Sequence, residues 1–307
     1  MTTNRDVASK EALSFVACFL KEARGLRTLH FYDDQAVRIT FGSQAEQATF
    51  GLLSNFASFP FKLTEFAIHS RHNDIPNLSD FLISQPTIEC LSIHINGDIV
   101  AGPLPIDALP NLAAVSGISD FKVHLAERRP VKYLRLVMRE AALQTLEAMQ
   151  QKSTRPIAAI SLIAKTMEEI RDFLPHLSRL APKLRFLGCE WFTEHSNPTE
   201  DDMQLLRTLT ELECMRWRCG ASIPKKRRRF ETGMLNPKFY AGSSLRAVQQ
   251  EYICDRSSSV SLAKREGVWR PSDNRINRWQ FHICEFIAPP LIPDYIFLVR
   301  VVPTDFC

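Results

Sequence analysis

The 307-residue chain has eight cysteines but no C-x-x-C pair and no regular cysteine spacing. Zinc modules and disulfide frameworks depend on such spacing, so the sequence predicts neither. Several of these cysteines lie inside apolar segments, where a free thiol packs as a small hydrophobic side chain. The cysteine pattern indicates a reducing compartment.

The chain also lacks the short motifs that indicate a catalytic site. It has no G-x-S-x-G elbow, no G-x-x-x-x-G-K phosphate loop, no G-x-G-x-x-G after a strand and no H-E-x-x-H pair. The acidic pairs Asp33-Asp34 and Asp201-Asp202 fall at turns or helix starts, where carboxylates act as caps. We therefore expect no catalytic residue, no metal site and no cofactor.

Long apolar runs are absent too. The N-terminal apolar run from Leu13 to Leu20 lies between polar and charged residues, without the small-residue cleavage pattern of a signal peptide. No segment approaches the roughly 20 apolar residues that span a bilayer. The sequence predicts a soluble protein of the cytoplasm or nucleus.

Outside a single basic run, the chain has no excess of charge of either sign. The chain has 38 basic and 34 acidic residues, and removing the five bases of the run Lys225, Lys226, Arg227, Arg228 and Arg229 leaves 33 against 34. A nucleic-acid binder usually has a distributed basic face, so general electrostatic binding of nucleic acid is not favoured. The run itself predicts a nuclear-import signal or a local phosphate contact, with a solvated loop as the alternative.

What the chain does contain is a recurring pattern, apolar-x-x-apolar-x-apolar. VKYLRL from Val131 shows it clearly, and LRTLHF, LTEFAI, IECLSI, IAAISL, LRFLGC and LECMRW repeat it, while LAAVSG and LRAVQQ keep its first part. The nine copies start at Leu26, Leu63, Ile88, Leu112, Val131, Ile157, Leu184, Leu212 and Leu245. We number the first residue of each copy position 1, so positions 1, 4 and 6 are apolar.

The spacing of the copies is about 25 residues over most of the chain, which is the period of leucine-rich repeats. Capping-box patterns open helical segments between copies at Ser43, Thr166 and Thr199, and the segment 138–152 has helical spacing of Leu143, Leu146 and Met149. Pro175 is expected to divide the helix that follows Thr166 into two short turns.

Strand and helix in alternation require a parallel sheet. We predict an α/β leucine-rich-repeat solenoid, with a curved parallel sheet of about nine strands and helices on its convex side. The repeat domain covers residues 1–285, including a C-terminal cap near 262–285 in which Trp269 and Trp279 close a β-hairpin. Residues 286–307 form a Pro-rich, apolar tail. The alternative is a doubly wound α/β domain, whose strands are covered on both faces.

The repeats, the phrase LPHLSRLAPKLRFL at 174–187 and the late SLRAV strand followed by GVWRP resemble fungal F-box and leucine-rich-repeat-like proteins, whose repeat domain has a ribonuclease-inhibitor-like fold. That resemblance implies a substrate-receptor role in a ubiquitin ligase. The Leu-Pro opening of an F-box is missing from residues 1–25, so a Skp1-type adaptor is not an expected partner.

Positions 3, 5 and 7 should point away from the core. His69 and His94 share position 7 in consecutive copies, and His30 lies one outward column over, at position 5 of the preceding copy. This pattern indicates either a histidine-metal or acidic-ligand site, or two solvated histidines. In later copies the outward residues are Tyr133, Arg135, Glu190, Arg216 and Arg218, whereas Trp217 should enter the core.

Arginine and aromatic side chains supply many interface hot spots. We therefore predict a non-enzymatic scaffold that recognises an acidic protein segment on this concave face, at Tyr133, Arg135, Glu190, Arg216, Arg218, His69 and His94. The alternative function is a nuclear role associated with nucleic acid, through residues 225–229. The alternative interpretation of the face residues is that they are ordinary solvated charges on a sheet, without a binding role. No membrane is expected as a partner.

Overall fold

A computed structural model of the chain describes residues 18, 20, 22–32, 60–70, 78–95, 104–117, 119–138, 141–192, 199–219, 240, 243–252, 260–265 and 268–271. Nine of its strands begin two residues after the nine copies of the motif, and two further strands follow. The strands are β1 (Thr28–Tyr32), β2 (Glu65–Ser70), β3 (Cys90–Ile95), β4 (Ala114–Gly117), β5 (Tyr133–Val137), β6 (Ala159–Ala164), β7 (Phe186–Trp191), β8 (Cys214–Cys219), β9 (Ala247–Tyr252), β10 (Val260–Arg265) and β11 (Val268–Pro271).

Five helices lie between these strands in the described ranges. They are α1 (Leu78–Ser84), α2 (Ser119–Ala126), α3 (Ala142–Lys152), α4 (Met167–Leu180) and α5 (Glu200–Arg207). Thr199 and Asp202 form a complete capping box at the start of α5, and Thr166 caps α4 by accepting from the backbone N–H of Glu169. Two of the three predicted caps, at Thr166 and Thr199, are therefore confirmed, and the third, at Ser43, lies outside the described residues.

The prediction that Pro175 divides this helix is wrong. Helix α4 is continuous from Met167 to Leu180 with Pro175 inside it. Pro175 is exposed, while Ile170, Phe173, Leu174, Leu177 and Leu180 on both sides of it are buried. Burial of this apolar stripe outweighs the one backbone hydrogen bond that the proline removes.

The chain divides into two compact units, residues 1–130 with 292–307 (unit 1) and residues 131–291 (unit 2). In unit 1 the strands β1 to β4 are parallel and lie in chain order. In unit 2 the strands β5 to β9 are likewise parallel and in chain order. The fold is therefore α/β with nine parallel strands. In neither unit does the last strand pair with the first, so the sheet is open.

In unit 2 each helix contacts the next one, α3 with α4 and α4 with α5. Parallel neighbours joined by crossovers of one hand place their helices on one face of the sheet, and these contacts agree with that arrangement. A doubly wound sheet reverses its strand order part-way to place helices on both faces, and no such reversal occurs within β5 to β9.

The register of the strands follows the motif. Tyr133, Ala159, Phe186, Cys214 and Ala247, which all hold position 3, lie side by side across unit 2. Positions 1 and 4 are buried in every copy, including Val131 and Leu134 in β5 and its approach. Burial of these apolar rows fixes the register, because a slip by one residue would turn every one of them to the other face.

A second ladder lies just before the strands. At position 2 of seven copies the carbonyl accepts two backbone N–H groups from the next copy: the oxygen of Arg185, for example, accepts from Glu213 at 2.9 Å and from Cys214 at 3.0 Å. The same arrangement occurs at Arg27, Thr64, Glu89, Lys132, Ala158 and Glu213. It satisfies buried backbone groups in the turns and holds adjacent copies in step.

Gly117 explains why the copy LAAVSG lacks an apolar residue at position 6. Its φ is +141°, and an added Cβ would lie 2.0 Å from the carbonyl oxygen of Ile93. Only glycine fits this close approach, so the motif is broken here for a steric reason.

The C-terminal hairpin differs from the expected one. Strand β10 pairs antiparallel with both β9 and β11, so the hairpin consists of Val260–Arg265 and Val268–Pro271. The prediction placed it in the segment 268–286, with Trp269 and Trp279 covering the last repeat, and residues 272–286 lie outside the described ranges. Two residues, Glu266 and Gly267, separate the strands, which is the commonest hairpin connection and was overlooked. Within the described ranges, no helix combines the length and the apolar character that crossing a membrane requires.

Candidate functional site

The face of unit 2 that carries positions 3, 5 and 7 brings the predicted charged residues together. Arg135 (β5) and Arg216 (β8) occupy position 5, while Glu190 (β7) and Arg218 (β8) occupy position 7. We call Arg135, Glu190, Arg216 and Arg218 the arginine cluster. Its members come from three strands, so only the sheet register makes them neighbours.

Glu190 is the centre of this cluster. Its Oε2 accepts a hydrogen bond from Nη1 of Arg218 at 3.1 Å, and Nη2 of Arg135 lies 3.6 Å from the same oxygen. Arg218 reaches it from the adjacent strand at the same position, whereas Arg135 must cross β6. The carboxylate therefore ties β5, β7 and β8 together through charge-assisted contacts.

Small residues make room for the long reach of Arg135. Ser161 and Gly188 lie at position 5 on the two strands between Arg135 and Arg216. A Cβ on Gly188 would lie 3.4 Å from Oγ of Ser161, so the space over these strands is already closely filled. Larger side chains here would occupy the volume that the guanidinium of Arg135 crosses.

The expectation of an open, solvated face is wrong for the arginine cluster. Arg135 is 3% exposed, Arg216 6%, Arg218 7% and Glu190 8%. All six residues of β6 and all six of β7 are buried as well. Charges at this depth persist only when they are paired, and Glu190 supplies that pairing for Arg135 and Arg218.

An apolar row flanks the arginine cluster at position 3. Ala159, Phe186 and Cys214 form a buried cluster, against which the half-buried Tyr133 and Ala247 pack. This face of unit 2 therefore has two bands, one apolar at the start of the strands and one charged further along. Trp217 is completely buried, as predicted, and meets Trp191 edge-on with the ring centroids 6.0 Å apart.

Unit 1 carries different chemistry at the same positions. Nε2 of His30 lies 3.1 Å from Oε1 of Glu65, and the hydroxyl of Thr28 donates to Oε2 of Glu65 at 3.4 Å. Nε2 of His94 lies 2.9 Å from Oγ of Ser116 on the next strand. The predicted alignment of His69 with His94 is confirmed by the register, while the side chain of His69 lies outside the described residues.

Glu65, Thr28 and Ser116 were missed as partners of the histidines. The signal was available, because aligning the copies places Glu65 at position 3 directly beside Thr28, two residues from the row of His30. In the described part of the chain, no group of three or more His, Cys, Asp or Glu side chains is placed to hold a metal ion. His30 and His94 each contact a polar neighbour on the adjacent strand.

The described cysteines of the sheet are weak nucleophiles. Burial, together with Glu65 and Glu89, raises the pKa of the Cys90 thiol to about 12. Burial and Glu213 raise the pKa of Cys214 to about 11, and burial raises the pKa of Cys189 strongly as well. A thiol that stays protonated is a poor nucleophile and a poor metal ligand, so these residues act as small hydrophobic side chains.

The basic run Lys225 to Arg229 lies outside the described residues, so its role as an import signal or phosphate contact stays a prediction. Comparison of the chain with models of known protein families, with curated proteins and with solved structures finds no match. The functional reading of the chain therefore rests on its own residues.

Proposed function

We propose that the chain is a non-enzymatic protein-recognition scaffold of the leucine-rich-repeat type, and that the face of unit 2 at positions 3, 5 and 7 binds an acidic segment of a partner. The observation that carries this proposal is the convergence of two arginines from two strands, Arg135 and Arg218, on a single buried carboxylate, Glu190. The role it resembles is that of a substrate receptor in an F-box ubiquitin ligase.

The contacts of Glu190 give the arginines a fixed position. A guanidinium already held in one orientation loses little conformational freedom when a partner binds, so its attraction for an acidic group is opposed by a smaller entropy cost. Because the cluster is buried, its field is also screened less than that of surface arginines.

Burial also limits what the arginines contribute by direct contact. A partner gains little by covering side chains that are already less than 10% exposed. We expect the contact energy to come from the half-buried Tyr133 and Val137, which hold positions 3 and 7 of β5. The arginine cluster then supplies the charge complementarity that selects an acidic partner.

The test is affinity purification of partners with the full chain and with two variants, Tyr133→Ala and Arg218→Gln. Ile83→Ala and Arg207→Gln are matched controls, since both side chains are exposed and lie on helices, outside this face. Partners that need the face should be lost from both test variants and kept by both controls. Circular dichroism checks that each variant folds, and Tyr133→Ala remains informative if Arg218→Gln does not.

A partner recovered in this way is then tested directly, by calorimetry with a peptide covering its most acidic segment. Recovery of the same partners by Tyr133→Ala, Arg218→Gln and the parent chain would rule the face out. A Skp1-type adaptor is included as a separate sample, and its binding to the chain would contradict the predicted lack of an F-box.

A further inference from the structure

The exposed charges of unit 2 are segregated along the direction of its strands. At the end where the strands begin lie Lys132, Arg155, Lys183, Arg185 and Arg246, all of them exposed. We call these five residues the basic edge. Two acidic residues, Glu211 and Glu213, lie among them.

In the part of unit 2 that the structure describes, the exposed charges beyond the ends of β6 and β7 are mostly acidic. Glu168 lies in the first turn of α4 with Asp172 one turn later, Glu200 and Asp201 lie in the first turn of α5, and Lys165 is a basic neighbour. The composition of the chain hides this separation, because the two groups nearly cancel in the net charge.

Helix dipoles explain only part of the pattern. Acidic residues at the starts of α4 and α5 complement the positive ends of those helices, and Arg179 and Arg207 in their last turns complement the negative ends. Lys132, Arg185 and Arg246 lie at position 2, just before strands, where no helix terminus accounts for them. Their alignment has another source, the repeat itself.

The position 2 ladder sets the spacing of these bases. Lys132, Arg185 and Arg246 belong to β5, β7 and β9, whose approaches are joined through the carbonyls of Lys132, Ala158, Arg185 and Glu213. Strands lie about 4.8 Å apart, so these bases recur about every 10 Å along a line. A line of charge on a rigid frame complements a rod-like polyanion better than a compact anion.

The acidic neighbours do not cancel the line. Lys183 pairs with Glu211, and Arg185 pairs with Glu213 at 2.8 Å, but the two bases are 60% and 58% exposed. Pairs this exposed contribute little to stability, so a phosphate can replace the carboxylate partner at little cost. For Lys132, Arg155 and Arg246 no carboxylate partner occurs among the described residues.

We infer that the basic edge of unit 2 binds the phosphate backbone of a nucleic acid, without reading its sequence. This site is separate from the face that recognises a protein partner, since its residues precede the strands and the arginine cluster lies further along them. The overall charge balance of the chain argued against nucleic-acid binding, but a balance cannot show where the charges lie.

The experiment measures binding of the full chain to a fluorescent single-stranded oligonucleotide and to a duplex by anisotropy, from about 50 to 200 mM salt. The edge variant combines Lys132→Gln, Arg155→Gln and Arg246→Gln. The control variant removes three exposed positive charges elsewhere, through Arg24→Gln, Lys165→Gln and Arg207→Gln. A third variant replaces each residue of Lys225 to Arg229 with serine, because that run is a competing source of phosphate contacts.

We expect the edge variant to bind at least about tenfold more weakly at 100 mM salt, and to lower the slope of log K against log salt by about 2 to 3. The control variant should bind within about twofold of the parent chain. Thermal melting confirms that all variants fold, and unfolding of the edge and control variants is unexpected because their substituted side chains are exposed.

Four outcomes would overturn the inference. They are absence of binding by the parent chain, equal weakening of the edge and control variants, loss of binding in the serine variant alone, and tighter binding to vesicles with anionic lipid than to either nucleic acid. The last outcome would assign the basic edge to a membrane surface instead.

Discussion

Units 1 and 2 use the same strand register but place different chemistry at positions 3, 5 and 7. In unit 1 these positions hold short polar and histidine side chains that contact the adjacent strand, as His94 contacts Ser116 at 2.9 Å. In unit 2 they hold arginines, one of which crosses a whole strand to reach Glu190. The apolar positions of the repeat specify the backbone, and the alternate positions are left to vary in chemistry.

This difference should appear most strongly in stability when Glu190 is changed. Glu190→Ala leaves the guanidiniums of Arg135 and Arg218 without their shared carboxylate, and breaking a buried ion pair on one side costs about 3–5 kcal/mol. Urea denaturation followed by circular dichroism measures the loss. Glu147→Gln is the matched control, because Glu147 pairs with Arg179 on the exposed surface at 3.6 Å. A loss below about 1 kcal/mol would show that the cluster is not a stabilising network.

The ion pair between α4 and α5 tests whether strongly stabilising ion pairs occur only within the sheet. Nε and Nη2 of Arg171 donate to the two carboxylate oxygens of Asp202 at 2.7 and 3.0 Å, and Asp202 is fully buried. Asp202→Asn should cost about 1–3 kcal/mol, less than Glu190→Ala, because the amide keeps one acceptor and Arg171 is partly solvated. Asp201→Asn, an exposed change in the same turn, is the control and should cost far less.

The same pair gives the fold a pH dependence. Burial alone would raise the pKa of Asp202, but the hydrogen bonds from Arg171 and Thr199 outweigh it and lower the pKa below its ordinary value. A lowered folded-state pKa means that the pair stabilises the fold fully above about pH 4 and loses this contribution as the pH falls further. Melting temperatures of the parent chain and Asp202→Asn should therefore converge below pH 4; curves that stay parallel would contradict the lowered pKa.

The contact between His94 and Ser116 in unit 1 should matter less than the charged contacts of unit 2. Ser116→Ala removes the hydroxyl that contacts His94 and should cost about 1 kcal/mol. Denaturant melts compare it with Thr154→Ala, which removes an exposed hydroxyl and is expected to be silent. If Ser116→Ala cost as much as Glu190→Ala, the contrast between the two units would fail.

The smallest effect concerns thiol reactivity, which compares position 3 in the two units. Cys90 and Cys214 both hold that position, with pKa values raised to about 12 and about 11. In the native protein at pH 8 both should react with a thiol reagent far more slowly than the exposed Cys18. Cys214 should react before Cys90, by up to about tenfold where access is equal. Mass spectrometry after timed alkylation gives the order, and the reverse order would show that access outweighs ionisation.

Much of the fold could be read from the motif. All nine copies became parallel strands, each starting two residues into its copy, because positions 1, 4 and 6 supply the apolar rows that fix the register. The caps at Thr166 and Thr199 were predictable for a similar local reason, since a threonine oxygen reaches a backbone N–H three residues ahead.

The failures share a different cause. Continuity of α4 through Pro175 depends on how firmly the apolar stripe on both sides is buried against the rest of unit 2, and a local rule about proline does not contain that information. The hairpin of β10 and β11 was shifted because β10 gains its place only by pairing with β9.

The residues of the candidate site could be predicted from the sequence, but their burial and their contacts could not. Their shared face followed from alternation along each strand, which is a property of the chain itself. That Arg135 reaches Glu190 across β6 depends on Ser161 and Gly188, two residues on two other strands. The basic edge could not be predicted from local sequence either, because Lys132, Arg155 and Arg246 are far apart in the chain.

The sequence by itself determined which residues form strands, which side chains share a row and which thiols are packed as hydrophobic groups, because these follow from periodicity and local chemistry. Only the tertiary structure decided that the arginines of unit 2 are buried around one carboxylate and that exposed bases gather where its strands begin. Burial and charge separation depend on how distant segments are stacked, and in an α/β array that stacking brings together residues that no local pattern connects.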